Sequence, residues 1–205
     1  MMNNNLKNHW ENIYEKKNED EVSWFQQIPN SSIKLIKSTG IVNPKIIDVG
    51  SGRSKLLKSL IDSGYNDLTY LDISEAALKK SKEFLGDQSN KVKWIAENIL
   101  NFKTEEKFDV WHDRAVFHFL TEQNLIDKYV ELVSKNISNS GHLIIGTFSE
   151  NGPLKCSGLN VNRYSKELIE ETFLKNFRLI NTFHIDHKTP FNTTQNFLFS
   201  HFIKN

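Results

Sequence analysis

Asp48-Val49-Gly50-Ser51-Gly52-Arg53-Ser54 stands directly after a β-rich run and ahead of a helical stripe. Glycines at such a junction let the backbone turn sharply and approach a ligand with no Cβ in the way. The helix that follows adds N–H donors that have no partner within the helix. In a parallel sheet, the crevice beyond the carboxyl ends of the strands is where ligands bind. The loop alone is also readable as a tight strand-to-helix turn, because glycine-rich turns are common. A second residue narrows the choice. Asp72 ends the next strand, twenty residues beyond Gly52, where a carboxylate can accept two hydrogen bonds from a ribose diol. Asp72 is equally placed to cap a helix starting near Ser74, but its position at a strand end favours the ribose.

Gly50, Ser51, Gly52 and Asp72 together fit either a nicotinamide dinucleotide or S-adenosyl-L-methionine (SAM), and three features favour SAM. Lys55 stands where a G-x-G-x-x-G fingerprint needs its third glycine. Asp48 sits just ahead of the glycines, placed to attract an ammonium group directly or through water. Glu97-Asn98-Ile99 follows the third strand, where a side chain and a backbone N–H can read an adenine edge.

Positioning these residues requires alternating strands and helices. The runs 45–49, 68–73, 92–96 and 108–112 read as four short strands, and Gly141 opens a fifth, HLIIGTF. Leu56, Leu57, Leu60 and Ile61 form a helical stripe between the first two strands. Ala77, Leu78, Ser81, Phe84 and Leu85 mark the next helix, and Leu125 to Val133 a longer one. Strands separated by helices imply βαβ units and a mainly parallel sheet with right-handed crossovers. After a helix over 164–174, the runs 177–185 and 196–203 have no helix between them and can pair antiparallel. At the start, Asn3 to Asn5 read as a frayed tail before an amphipathic segment with Leu6, Trp10, Ile13 and Tyr14, and a second short helix ends near Gly40. One domain over 1–205 is expected, residues 1–40 forming a helical lid on a core of 41–205.

Composition sets the limits. The 205 residues are 38% hydrophobic and 25% charged, and 26 Lys+Arg against 25 Asp+Glu leave a net charge of +1. Such a chain has no basic field to draw it onto nucleic acid or an anionic membrane. Cys156 is the only cysteine, so an intrachain disulfide and a multi-cysteine zinc site are excluded. The seven histidines lack metal-ligand spacing. No apolar core of a signal peptide and no run of about 18 apolar residues occurs, so a reducing cytosol is the expected location.

Over nearly its whole length the chain resembles the class I SAM-dependent methyltransferases. DVGSG matches their glycine motif, YLDIS their ribose-acid motif and ENI their adenine loop. FDVWHDRAVFHFL and SGHLIIGTF match the segments around the fourth and fifth strands. The resemblance implies a Rossmann-like αβα sandwich with a seven-stranded sheet in order 3-2-1-4-5-7-6, only the last strand antiparallel. It implies that Asp48, Gly50, Ser51, Gly52, Asp72, Ile73, Glu97, Asn98 and Ile99 hold SAM. Ser54 departs from the pattern where many members carry a third glycine. HWENIYEKKNEDEVSWFQ, followed by DVGSGRSKL, is similar both to enzymes that methylate protein lysines and to thiopurine and other small-thiol methyltransferases.

Methyl transfer is an in-line displacement that needs no metal, and holding the reactants in line supplies most of the acceleration. A water-excluding lid is expected, with Tyr14, Trp24 and Phe25 as its candidates. On the acceptor side, His112 or Asp113 is expected to take the proton of an amine or thiol, and Arg114 to orient a carboxylate or pair with Asp113. Phe117 and His118 are expected to line the same cavity. The bland alternative makes Asp113–Arg114 a local salt bridge and His118 a core histidine. Lack of a D/N-P-P-Y/F motif argues against amino-methylation of DNA bases. Cys156 reads as a small buried residue. The expected acceptor is a small molecule, with a protein side chain as alternative; a non-catalytic SAM-binding module is the less favoured class.

Overall fold

The computed structural model describes residues 2–53 and 55–205, with side chains from residue 5 onward; Ser54 lies outside the described residues. Helices α1 (Met2–Lys16) and α2 (Asn30–Ser38) precede strand β1 (Ile46–Val49). Then come α3 (Lys55–Asp62), β2 (Leu68–Asp72), α4 (Glu75–Leu85), β3 (Val92–Ala96), β4 (Phe108–Arg114), α5 (Gln123–Asn136) and β5 (Ile137–Phe148). A short hairpin, β6 (Lys155–Cys156) and β7 (Leu159–Asn160), leads to α6 (Lys166–Phe173) and the long strands β8 (Phe177–Lys188) and β9 (Thr194–Lys204). The seven-stranded sheet runs β3-β2-β1-β4-β5-β9-β8. Strands β1 to β5 are parallel, and β9 is antiparallel to both its neighbours. Setting the hairpin aside, this is the expected order.

Strand alternation explains the two cores. Ile46, Tyr70 and Val110 face a cluster with Leu35 and Ile36 of α2 and Leu56, Leu57 and Leu60 of α3. Ile47, Leu71 and Trp111 face the opposite cluster with Tyr129 and Val133 of α5 and Ile169 and Phe173 of α6. Strands with both faces covered read as continuous apolar runs, which is why β1 and β2 are legible by composition.

Several boundaries differ from expectation. Strand β4 continues to Arg114, two residues beyond the expected end, and β5 begins at Ile137 rather than Gly141. Helix α1 begins at Met2, through the stretch expected to fray, because each added residue extends an existing hydrogen-bond ladder. The hairpin was not anticipated. Ser157 (φ 50°) and Gly158 (φ 81°) are its two central residues, and positive φ at both is the signature of a tight type I′ connection.

The extension of β4 decides which way its polar residues point. Period-two alternation sends His112 and Arg114 to the α2–α3 face and Asp113 to the α5 face. Asp113 is fully buried. Its carboxylate accepts the Tyr129 hydroxyl (2.6 Å) and the backbone N–H groups of Val116 (3.0 Å) and Phe117 (3.2 Å). Trp111 Nε1 donates to the same hydroxyl at 3.2 Å. Burial pushes Asp113 up to about 6, against the pull of these donors. Asp113 therefore braces the turn after β4, where Ala115 has φ 69°; it is not a proton acceptor facing a substrate. Tyr129→Phe leaves that buried carboxylate one donor short, so a loss of about 1–3 kcal/mol is expected. Thermal unfolding should register about 2–4 °C per kcal/mol; an unchanged midpoint would contradict the bracing role.

Candidate functional site

Where β1 ends, Gly50 (φ 63°) and Gly52 (φ 55°) both occupy the left-handed region. A Cβ at Gly50 would lie 1.8 Å from Val116 Cγ2, and one at Gly52 2.5 Å from the Tyr14 hydroxyl. The turn is thus closed in from two sides. It is also tied to β2: the Gly52 N–H donates to Asp72 Oδ2 at 2.8 Å, and the Ser74 N–H to Oδ1 at 2.9 Å. The Gly52 carbonyl accepts from the Tyr70 hydroxyl (2.9 Å) and Ser81 Oγ (2.7 Å). Burial raises Asp72 to about 6 while its two backbone donors pull the other way. Each oxygen keeps a lone pair beyond these bonds. Both sequence readings of Asp72 therefore coexist, since it steadies the start of α4 and also lines a cavity.

That cavity, about 720 Å³, opens from the carboxyl ends of β1, β2 and β4, within the size range of small-molecule sites. Gly50, Asp72, Ile73, Glu97, Asn98 and Ile99 line one end. There Glu97 Oε1 accepts from the Asn98 N–H (2.7 Å), and Asn98 Oδ1 from the Leu100 N–H (2.9 Å), shaping the turn after β3. Trp10, Tyr14, Trp24, Arg114, Phe119 and Cys156 are among the residues lining the rest. A second, smaller cavity of about 90 Å³ adjoins it, with Tyr14, Phe25, Ser32, Asp48, Gly50, Ser51, His112 and Arg114 in its wall.

Asp48 and His112 are register neighbours on β1 and β4. Asp48 Oδ1 lies 2.7 Å from His112 Nδ1, and Ser51 Oγ donates to Oδ2 at 2.5 Å. His112 Nε2 lies 2.8 Å from Ser32 Oγ on the first turn of α2. With both ring nitrogens engaged, His112 locks α2 to the sheet and steadies Asp48. The expected general-base role has no nitrogen left to perform it.

The lid is built by opposite charges at helix ends. Glu11 on α1 accepts from Ser74 Oγ (2.9 Å) and the N–H groups of Glu75 (2.7 Å) and Ala76 (2.9 Å), where the α4 terminus favours an anion. At the other end of α1, Arg53 Nη2 and Lys80 Nζ both donate to the Tyr14 carbonyl at 2.6 Å. Trp10, Tyr14 and Trp24 pack with ring centroids 5.7–6.3 Å apart, and Phe119 lies 5.3 Å from Trp10. Phe25 borders the smaller cavity, with Lys55 Nζ 5.1 Å from its ring centroid.

Phe117 and His118 were expected at the cavity and lie elsewhere. Phe117 is fully buried among Tyr129, Tyr164 and Phe173. His118 packs on Phe148, takes the Phe148 N–H on Nδ1 at 3.3 Å, and is held down to about 3 by burial. A 3-10 turn over Phe117–Phe119 presents Phe119 to the cavity in their stead. Trp10, Val116 and Asn160 were missed, whereas the loop 156–159 was expected to face the acceptor and brings Cys156 and Leu159 to the wall. Trp10 had a usable signal, because it stands four residues before Tyr14 on one helix face.

The description "Methyltransferase domain" belongs to the family model that matches residues 42–195. Human EEF1A lysine methyltransferase 2 is 24% identical over 153 residues, covering 67% of this chain and 65% of that protein. The chain spans 21% to 65% of the length of the first curated relatives it matches. Among solved structures, the N-methyltransferase NodS of Bradyrhizobium japonicum, in complex with S-adenosylhomocysteine, superposes with TM-score 0.72 at 15% identity, covering 96% of this chain and 98% of that one. The 1,6-didemethyltoxoflavin-N1-methyltransferase of Burkholderia thailandensis gives 0.73 at 14%, covering 100% and 87%. Such identities speak for the fold, while the family match covers most of the sequence. The chain belongs to the methyltransferase domain family.

Proposed function

We propose that the protein transfers a methyl group from SAM to a nitrogen, sulfur or oxygen nucleophile of a small molecule. The observation that carries this reading is one cavity with two unlike ends. A glycine turn and a buried carboxylate close one end; aromatic rings, Arg114 and the β6–β7 hairpin close the other. When bound, SAM supplies an electrophilic methyl group on a sulfonium. Gly50 gives it bare backbone to lie against at the cavity wall, and the remaining lone pairs of Asp72 suit a pair of ribose hydroxyls. Glu97, Asn98 and Ile99 border the adenine end, and Asp48 sets a negative charge beside the amino end.

The rest of the chemistry is positioning. Oriented reactants alone can contribute roughly 7–11 kcal/mol. The faces of Tyr14 and Trp24 exclude water and favour a nearby cation. Burial raises Tyr14 well above 10 and Cys156 to about 12. With His112 tied up and Asp113 on the other face, these side chains offer the acceptor no base near neutral pH. An acceptor that ionises readily, or sheds its proton to water, fits this cavity best.

A protein lysine is the second reading, supported by the likeness to EEF1A lysine methyltransferase 2. Against it stands α1, whose Leu6, Trp10 and Tyr14 line the cavity and narrow the space for a bulky chain. Among the described residues no helix is long and apolar enough to cross a membrane. That finding and the single buried Cys156 support a place in the cytoplasm.

Methyl-labelled SAM, incubated with the protein and a cell extract split by size, should label the small-molecule fraction. Label confined to macromolecules would establish the lysine reading instead. The raised pKa of Asp72 makes a second prediction. Protonation below about 6 removes acceptor lone pairs, so affinity for S-adenosylhomocysteine should rise up to about tenfold per pH unit from pH 5 to 6 and level off by about pH 7. A flat profile across that window would exclude Asp72 as the ribose partner.

A further inference from the structure

Arg114 is a half-buried cation with no ion-pair partner among the described residues. Its side chain crosses β5 at Gly146, where even a Cβ would come 3.4 Å from Arg114 Cγ, and its guanidinium carbon lies 4.8 Å from the Phe197 ring centroid on β9. Nη1 donates to the Trp24 carbonyl at 3.0 Å. Nε and Nη2 are buried and have no hydrogen-bond partner among the described residues. The neighbouring acids are committed: Asp48 to His112 and Ser51, and Asp113 to the opposite face of the sheet. Burial lowers Arg114 to about 10, which leaves it charged at neutral pH. Two buried donor nitrogens on a charged side chain are costly unless something accepts from them.

The identity of the two free nitrogens is informative. Nε and Nη2 share one edge of the guanidinium plane and point their N–H bonds the same way, the fork that matches two carboxylate oxygens. Arg114 borders both cavities, so a guest that moves the side chains covering this edge meets both nitrogens. We propose that this edge receives a carboxylate of the methyl acceptor, making the acceptor a small carboxylic acid that carries its nucleophile on another atom. The proposal rests on the function proposed above. SAM also carries a carboxylate, and the response of S-adenosylhomocysteine affinity to Arg114→Met separates the two sources. The guanidinium carbon lies against Phe197 of β9, while the same side chain shares the smaller cavity with Asp48, Gly50 and Ser51.

The test uses probe acceptors that differ only in a carboxylate: 3-mercaptobenzoate against thiophenol, and 4-(aminomethyl)benzoate against benzylamine. Binding to the protein saturated with S-adenosylhomocysteine is measured by calorimetry, and methylation with SAM by product formation. At least one carboxylated probe should bind or react at least about tenfold better than its neutral twin. Arg114→Met should abolish that preference, and Arg114→Lys, which keeps charge but loses the fork, should retain only part of it. Both variants should still bind S-adenosylhomocysteine, which also shows that they fold. Equal treatment of the twins, or no binding of any carboxylate probe, would overturn the proposal. So would loss of S-adenosylhomocysteine affinity in well-folded Arg114→Met, because the guest would then be the methionyl carboxylate. If the wild type binds no S-adenosylhomocysteine at all, the failure lies with the methyltransferase reading.

Discussion

The Asp72 carboxylate, held between the N–H groups of Gly52 and Ser74, is the contact on which the site depends. It joins three pieces that differ in chain position: the turn after β1, the end of β2 and the first turn of α4. The join works because Gly50 and Gly52 accept positive φ, which other residues adopt only with strain. A fully buried carboxylate is unfavourable unless donors surround it, so each of those backbone groups is constrained as well. The Asp72 end of the cavity accordingly presents fixed polar groups in a mostly apolar wall, the condition under which a site can bind an adenosyl group without reorganising.

The acceptor end follows a different logic. Aromatic rings, a hairpin and Arg114 at the end of β4 build it, and the α1 part is held to the core by charge at helix ends rather than by strand pairing. Glu11 against the start of α4, and Arg53 and Lys80 against the end of α1, hold the lid with two or three hydrogen bonds per charge. Such contacts are weaker and more exposed than the sheet, and lids that must admit a substrate are drawn from the low-stability end of a structure. Loops and lid segments carry the specificity of a site that the fold alone does not determine.

Much of the architecture was legible in the sequence because β1 and β2 are apolar on both faces and the helices between them carry clear stripes. The glycine turn and Asp72 were legible for a similar reason: backbone conformation restricts residue type. The polar residues of β4 were not. Reading the strand as ending at His112 let His112, Asp113 and Arg114 share a loop, whereas two more residues of strand send Asp113 to the opposite face. Phe117 and His118 were misplaced by a 3-10 turn, whose three-residue period rotates Phe119 toward the cavity. The β6–β7 hairpin is two residues per strand, too short for any alternation to reveal it, yet it brings Cys156, Leu159 and Asn160 to the wall.

The most direct measurement is calorimetric titration of the purified protein with S-adenosylhomocysteine at pH 7.5, beside NAD and beside an Asp72→Asn variant. One site per chain with micromolar or tighter affinity, sharply weakened in the variant and with no heat from NAD, is what a turn and carboxylate built for an adenosyl group predict. Binding of NAD with none of S-adenosylhomocysteine, or an Asp72→Asn variant that binds as well as the wild type, would contradict it.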